Sequence, residues 1–151
     1  MVWGCMTSQG VGNLCRIEEI MDQHLYKTIL EEDLMRTMDY YQMDPQDIIF
    51  QHDNDPKHKA KSVQNWLSEQ EFAVLSWPAQ SPDLNPIEHL WAEVKRKLNK
   101  FNSPPKGINE LWERITDVWN NISPQTCQNL IESMPRRITD VIKAKGKWTK
   151  Y

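Results

Sequence analysis

This sequence has few cysteines, no long apolar run and no overall excess of positive charge, and each shortage removes a class of protein. Cys5, Cys15 and Cys127 are an odd set without a CxxC pair in 151 residues. A disulfide framework or a cysteine-rich zinc site is therefore not expected, and a reducing compartment is. No stretch approaches the roughly 18 consecutive apolar residues that a membrane helix needs, and the mean hydropathy is -0.70. The opening MVWGCMTSQG has neither the basic start nor the apolar middle of a secretory leader, so no membrane partner is expected. The net charge of -3 argues against a simple basic nucleic-acid binder.

That average conceals a gradient. Residues 1–55 hold 11 acids and 3 bases, residues 56–133 hold 9 of each, and residues 134–151 hold 6 bases and 1 acid. The segment Arg136 to Lys150 is thus the part suited to phosphates. Hydrophobic residues make up 39% of the chain, enough for one core, and no repeat or low-complexity tract interrupts it.

The pattern along the chain predicts alternating strands and helices. Residues 1–20 read as two strands joined by a turn. Leu25, Ile29, Leu30, Leu34 and Met38 recur with a helical period between Asp22 and Tyr41. Ile48 to Asp53 follows as a short strand, whose continuous apolar start suits a buried, parallel position. Asp55-Pro56 reads as an N-cap and first residue of a helix reaching Glu69, with Ala60, Val63, Trp66 and Leu67 inward. Phe72 to Trp77 is a further strand, and PAQSPDLNP is a loop that leads into a helix from Ile87 to Asn99. Beyond the loop 102–107, an amphipathic helix runs from Ile108 to Ile122. Ser123-Pro124 opens another, and Pro135 precedes a last one. The order indicates an α/β domain. Trp66, Trp91, Trp112 and Trp119 fall on apolar stripes and are expected in the core, while Trp77 beside Pro78 is unassigned.

Functional groups of open α/β sheets collect beyond the carboxyl ends of the strands, where Asp53 lies. Glu88 opens the helix after the next strand, at the border of a stripe of Ile87, Leu90, Trp91, Val94 and Leu98. A pair of half-buried carboxylates there would repel unless a cation sat between them, and magnesium, which prefers oxygen ligands, is the natural occupant. Other roles compete. Glu88 is the third residue after Asn85, as in a capping box, and Asp55 suits an N-cap better than a ligand. His52, His58 and His89 lack a zinc-binding spacing. Lys95, Arg96 and Lys97 suit either a solvated helix end or phosphate contact.

HDNDPKH, followed by WPAQSPDLNPIEHLWAEVKRKL, resembles the catalytic core of the mariner-type DNA transposases, near the Tc branch. The likeness runs from VWGCMTSQGVGNL to MPRRITDVIKAKGKWTKY, and 34 residues separate Asp53 from Glu88, as in the Asp-34-Glu subset of that family. The resemblance implies an RNase H-like fold with extra carboxyl-terminal helices. It divides the chain into a partial DDE core over residues 1–101 and a helical extension with a basic tail over residues 102–151. It makes Asp53 the second aspartate and Glu88 the glutamate of a triad binding two magnesium or manganese ions. The family's first aspartate lies upstream of VWGC, so the chain is expected to be an amino-terminally truncated, carboxyl-terminal portion that does not cut DNA by itself.

Whole relatives cleave DNA at element ends and join it to target DNA. The implied partners are therefore transposon-end and target DNA and a second copy of the chain, and the implied location is the nucleus. Lys57, His58, Lys95 and Arg96 are the candidate phosphate contacts. Two alternatives are an inactive relic that only binds DNA or protein, and an RNase H-type nuclease; SPDLNPIE favours the transposase lineage over the latter.

Overall fold

The computed structural model describes residues 1–76, 81–147 and 149–150. The chain opens with an antiparallel hairpin of β1 (Val2–Thr7) and β2 (Gly10–Arg16). Thr7 Oγ1 accepts the Gln9 N–H across the tip at 3.0 Å. Gly10 follows at φ 148°, a conformation that side chains with a Cβ avoid. At the open end Met1 and Ile17 exchange two backbone hydrogen bonds of 3.0 and 2.9 Å.

The helix expected from Asp22 to Tyr41 is present in three pieces: α1 (Gln23–Ile29), a π-helical turn (Leu30–Leu34) and α2 (Met35–Tyr40). Asp22 starts it by accepting from the His24 and Leu25 N–H groups, each at 2.9 Å. The buried stripe is Tyr26, Ile29, Leu30, Leu34 and Met38, with Tyr26 in the place expected of Leu25. Tyr26 turns inward because its ring has aromatic neighbours to stack on, described below.

β3 (Ile49–Phe50) and β4 (Ala73–Val74) pair in parallel, Ile49 opposite Ala73 and Phe50 opposite Val74. The parallel pairing is as expected, but both strands are shorter than their apolar runs and the burial is not as expected. Ile49 is 67% exposed, since among the described residues β4 is the only partner strand of β3 and its own residues are exposed. Beyond the strand-exit segment, the Asp53 and Asp55 side chains accept the Asp55 and Lys57 N–H groups and turn the chain away from an extended course. Trp77, at the end of the expected second strand, lies outside the described residues.

The helix expected to start at Asp55-Pro56 is also corrected. Asp55 and Pro56 open one isolated turn, with His58 N–H and Lys59 N–H donating to the Asp55 carbonyl. Ala60 is then extended at ψ 143°, and α3 begins only at Lys61, running to Ser68. Val63, Trp66 and Leu67 are buried as expected, whereas Ala60 is half-buried. Phe72 closes over them against Trp66 and Phe50.

A short turn (Pro82–Leu84) precedes α4 (Pro86–Leu98), and three further helices follow: α5 (Ile108–Asn120), α6 (Pro124–Glu132) and α7 (Met134–Lys143). Ser123 caps α6 through the Thr126 N–H. The contacts divide the chain into two compact units: Met1–Gly4 with Cys15–Gln80, and Cys5–Leu14 with Ser81–Tyr151. The core of the second unit joins Leu90 and Val94 of α4 to Val118 and Trp119 of α5, Ile122 and Cys127. Met6, Val11 and Leu14 of the hairpin pack against it. Trp119 is fully buried, stacks on Trp91 at 4.8 Å and donates its indole N–H to the Gly12 carbonyl at 2.8 Å.

Candidate active site

In the first unit, the strand-exit segment carries Asp53 just beyond β3. Its carboxylate is 56% exposed, where half burial was expected. One oxygen accepts the Asp55 N–H at 3.1 Å, and His58 Nδ1 approaches the same oxygen to 2.7 Å. That approach lies off the hydrogen-bonding direction, and neither buried nitrogen of His58 makes a hydrogen bond among the described residues.

The His58 ring is held by stacking. It lies 3.8 Å from the Tyr26 ring and 5.3 Å from His52, nearly parallel to both. Tyr26 shares a hydrogen bond of 3.0 Å between its hydroxyl and His52 Nδ1. Burial, then the charges of Asp53 and Asp55, push the Tyr26 hydroxyl well above the usual range, so it stays protonated. Burial and the neighbouring His58 push His52 down to about 4, only partly offset by Asp53, so His52 is neutral at pH 7.

Asp55 acts as a cap, but of an isolated turn where the N-cap of a helix was expected. It accepts the Lys57 N–H and binds Lys57 Nζ, both at 2.9 Å, and the hydrogen bond from that ammonium holds its carboxyl below the usual carboxylate range. Lys57 and His58 therefore both have neighbours inside this turn.

In the second unit, Glu88 sits in the first turn of α4 and is exposed, not half-buried as its place beside the stripe suggested. The buried line of α4 is Pro86, Leu90 and Val94, and Glu88 lies about 160° around the helix from its centre. The capping-box reading also loses its first half, since Asn85 makes no side-chain cap hydrogen bond. Further along, Lys95 and Arg96 are exposed. Arg96 is held by Glu93 through two hydrogen bonds of 2.8 and 2.6 Å, which lower the Glu93 carboxyl.

The basic tail is only partly free for phosphate. Arg137 is buried at 1% exposure, and its guanidinium reaches Ser133 Oγ, the Asp83 carbonyl and His89 Nδ1. Burial and the Arg137 charge lower the His89 imidazole. Lys143, Lys145 and Lys147 are exposed. The role of Arg137 was missed in the sequence, although a signal exists. Met134, Arg137, Val141 and Ala144 share one helix face, so Arg137 stands on the apolar side of α7. Tyr26 carried no comparable signal.

Among the described residues no group of three or more histidine, cysteine, aspartate or glutamate side chains is arranged to hold a metal ion. Asp53 and Glu88 still suit magnesium or manganese by donor chemistry. Both offer hard oxygens, and neither is engaged by a lysine or arginine among the described residues.

The sequence matches the model of the DDE superfamily endonucleases over residues 2–111. The chain belongs to that superfamily. Within it, the chain is 42% identical over all 151 residues to the transposase of transposable element Tc1 from Caenorhabditis elegans. It spans about half the length, 54%, of that and similar curated relatives. The structure of the Mos1 transposase catalytic domain with raltegravir and magnesium matches this chain with a TM-score of 0.84 at 24% identity, covering 99% of this chain and 76% of that one. The Mos1 mariner paired-end complex with manganese matches at 0.86 and 23% identity, covering 99% and 44%. The fold is the RNase H-like DDE fold, as the sequence motifs implied.

Proposed function

We propose that the chain supplies two acids, Asp53 and Glu88, of a metal-dependent DNA-cleaving and strand-joining site of the Tc/mariner transposases. The observation that carries this reading is the likeness of all 151 residues to about half of a Tc1-type transposase, with an acid just past β3 and another at the start of α4. A bound divalent ion would supply Lewis-acid polarisation of a phosphodiester. Asp53 and Glu88 would hold it. The Asp55 N–H steadies one Asp53 oxygen, and the stacked His58 ring lines that carboxylate. Duplex DNA is the substrate in this reading, transposon ends first and target DNA second, met in the nucleus by paired copies of the protein. Lys95 and the exposed lysines after α7 are the side chains best placed to meet its phosphates.

Metal binding tests the acids directly. Manganese titration of the intact chain is expected to show binding that Asp53→Asn and Glu88→Gln each weaken at least about tenfold, because each removes a charged oxygen ligand. Affinity unchanged in both variants would overturn the assignment.

A further inference from the structure

We infer that Arg137, far along the chain on α7, is a positioning residue for Glu88: it locks the turn before α4 and holds His89 as the tautomer protonated on Nε2. The functional meaning of this inference rests on the reading of Glu88 given above.

The start of α4 lacks one usual local device, a side-chain cap. Asn85 gives none, which leaves Pro86 at the first helical position and the acid Glu88 in the first turn as the local signals. Local backbone bonds exist, from the Leu84, Asn85 and Glu88 N–H groups to Ser81, Pro82 and Asn85 carbonyls, at 3.0–3.2 Å. What adds tertiary constraint comes from 48 and 54 residues away. Arg137 Nη1 donates to the Asp83 carbonyl at 3.0 Å and faces His89 Nδ1 at 3.2 Å. Asp83 and His89 bracket Glu88 in the sequence, so one guanidinium nitrogen holds both sides of its turn.

Arg137 is itself held. Its Nε donates to Ser133 Oγ at 2.7 Å, and the Ser133 hydroxyl passes its own hydrogen to the Leu130 carbonyl. From the other side, the Thr149 hydroxyl donates to the buried Asp83 carboxylate at 3.0 Å.

The tautomer follows from donor counting. A guanidinium nitrogen of this kind carries two hydrogens and no acceptor lone pair. One hydrogen of Nη1 serves the Asp83 carbonyl and the other meets His89. His89 Nδ1 must therefore offer its lone pair, which leaves the neutral ring's hydrogen on Nε2. Lysine cannot reproduce this arrangement, because its single ammonium lacks the planar fork that spans both acceptors and Ser133.

The test is solution NMR on the intact chain with nitrogen-labelled histidine, at neutral pH. The expected His89 pattern is that of the Nε2–H tautomer; an Nδ1–H tautomer in the wild-type chain overturns the inference. In Arg137→Lys, amide exchange at Leu84, Asn85 and Glu88 is expected to accelerate at least about tenfold, while Val118 and Trp119 keep their protection. Unchanged exchange at those three amides also overturns it. Should Arg137→Lys fail to fold, Ser133→Ala, which keeps the guanidinium but removes its Nε acceptor and the hydroxyl's bond to the Leu130 carbonyl, replaces it with a smaller acceleration expected at the same amides. Manganese titration separates this inference from the reading it rests on. If Glu88→Gln binds as the wild type does, the Glu88 assignment fails and the hold on the turn stands. If Glu88→Gln loses the ion and folded Arg137→Lys keeps wild-type affinity, the positioning role fails.

Discussion

Trp119→Phe isolates what holds the hairpin to the helices of the second unit. The substitution keeps a six-membered ring in a fully buried site but deletes the five-membered ring and its N–H. Two losses follow. The Gly12 carbonyl loses its 2.8 Å donor, which costs about 1–2 kcal/mol for a part-buried acceptor. The deleted ring atoms leave a void beside Trp91, Leu90 and Val118, worth about another 1–2 kcal/mol. The sum, about 2–4 kcal/mol, corresponds to a fall in Tm of about 4–16 °C at roughly 2–4 °C per kcal/mol for a chain of this size. Thermal unfolding followed by circular dichroism measures it, with half-buried Trp112→Phe as a control expected to cost less. A Trp119→Phe protein melting within about 2 °C of the wild type would refute the view that this indole ties β2 to α5.

Cys15 gives a pH-dependent prediction. Burial, then the charge and hydrogen bond of Asp33, then Glu32, push its thiol from 9.0 up to about 11. Because the thiolate is the reactive form and a raised value depletes it, modification at pH 8 is expected to be about a hundredfold slower than for an ordinary thiol, rising toward pH 11. Reaction at the ordinary rate in the folded chain would refute the shift. For the basic segment, replacing the exposed Lys143, Lys145 and Lys147 by glutamine, with Arg137 intact, is expected to weaken binding to random duplex and to flatten its salt dependence. The slope of log affinity against log salt should fall by about one for each phosphate that is no longer neutralised. An unchanged slope would remove these lysines from the DNA-binding surface.

Local chemistry was the more legible part of this protein. Helical periods located the helical stretch 22–41, α4 and α5, because burying one stripe leaves its mark regardless of what covers it, while Ser123-Pro124 and Pro135 marked α6 and α7. Asp22 and Ser123 stand where helix starts were expected, and each caps its helix by short-range bonding that needs no partner element. Boundaries were less legible where side chains compete for the backbone. The turn at Pro56 and the extended Ala60 postpone α3 to Lys61, although Asp55-Pro56 is a sound helix start by local rules. Exposure also escaped the sequence. Ile49 is apolar yet open, and Glu88 borders a stripe yet lies on the far side of the buried line.

The sequence by itself determined the family, the order of elements and the candidate acids Asp53 and Glu88, since these depend on residue type and spacing along one chain. Only the tertiary structure decided which polar groups are occupied. Arg137 reads as one more cation of a basic tail until α7 folds against the turn before α4, where burial obliges its donors to find the Asp83 carbonyl and His89. The stack of Tyr26, His58 and His52 likewise needs α1 and the strand-exit segment to meet across more than twenty residues of sequence. Hydrogen bonds and ring contacts between distant segments have no period and no local signature, so they become readable only once hydrophobic burial has brought those segments together.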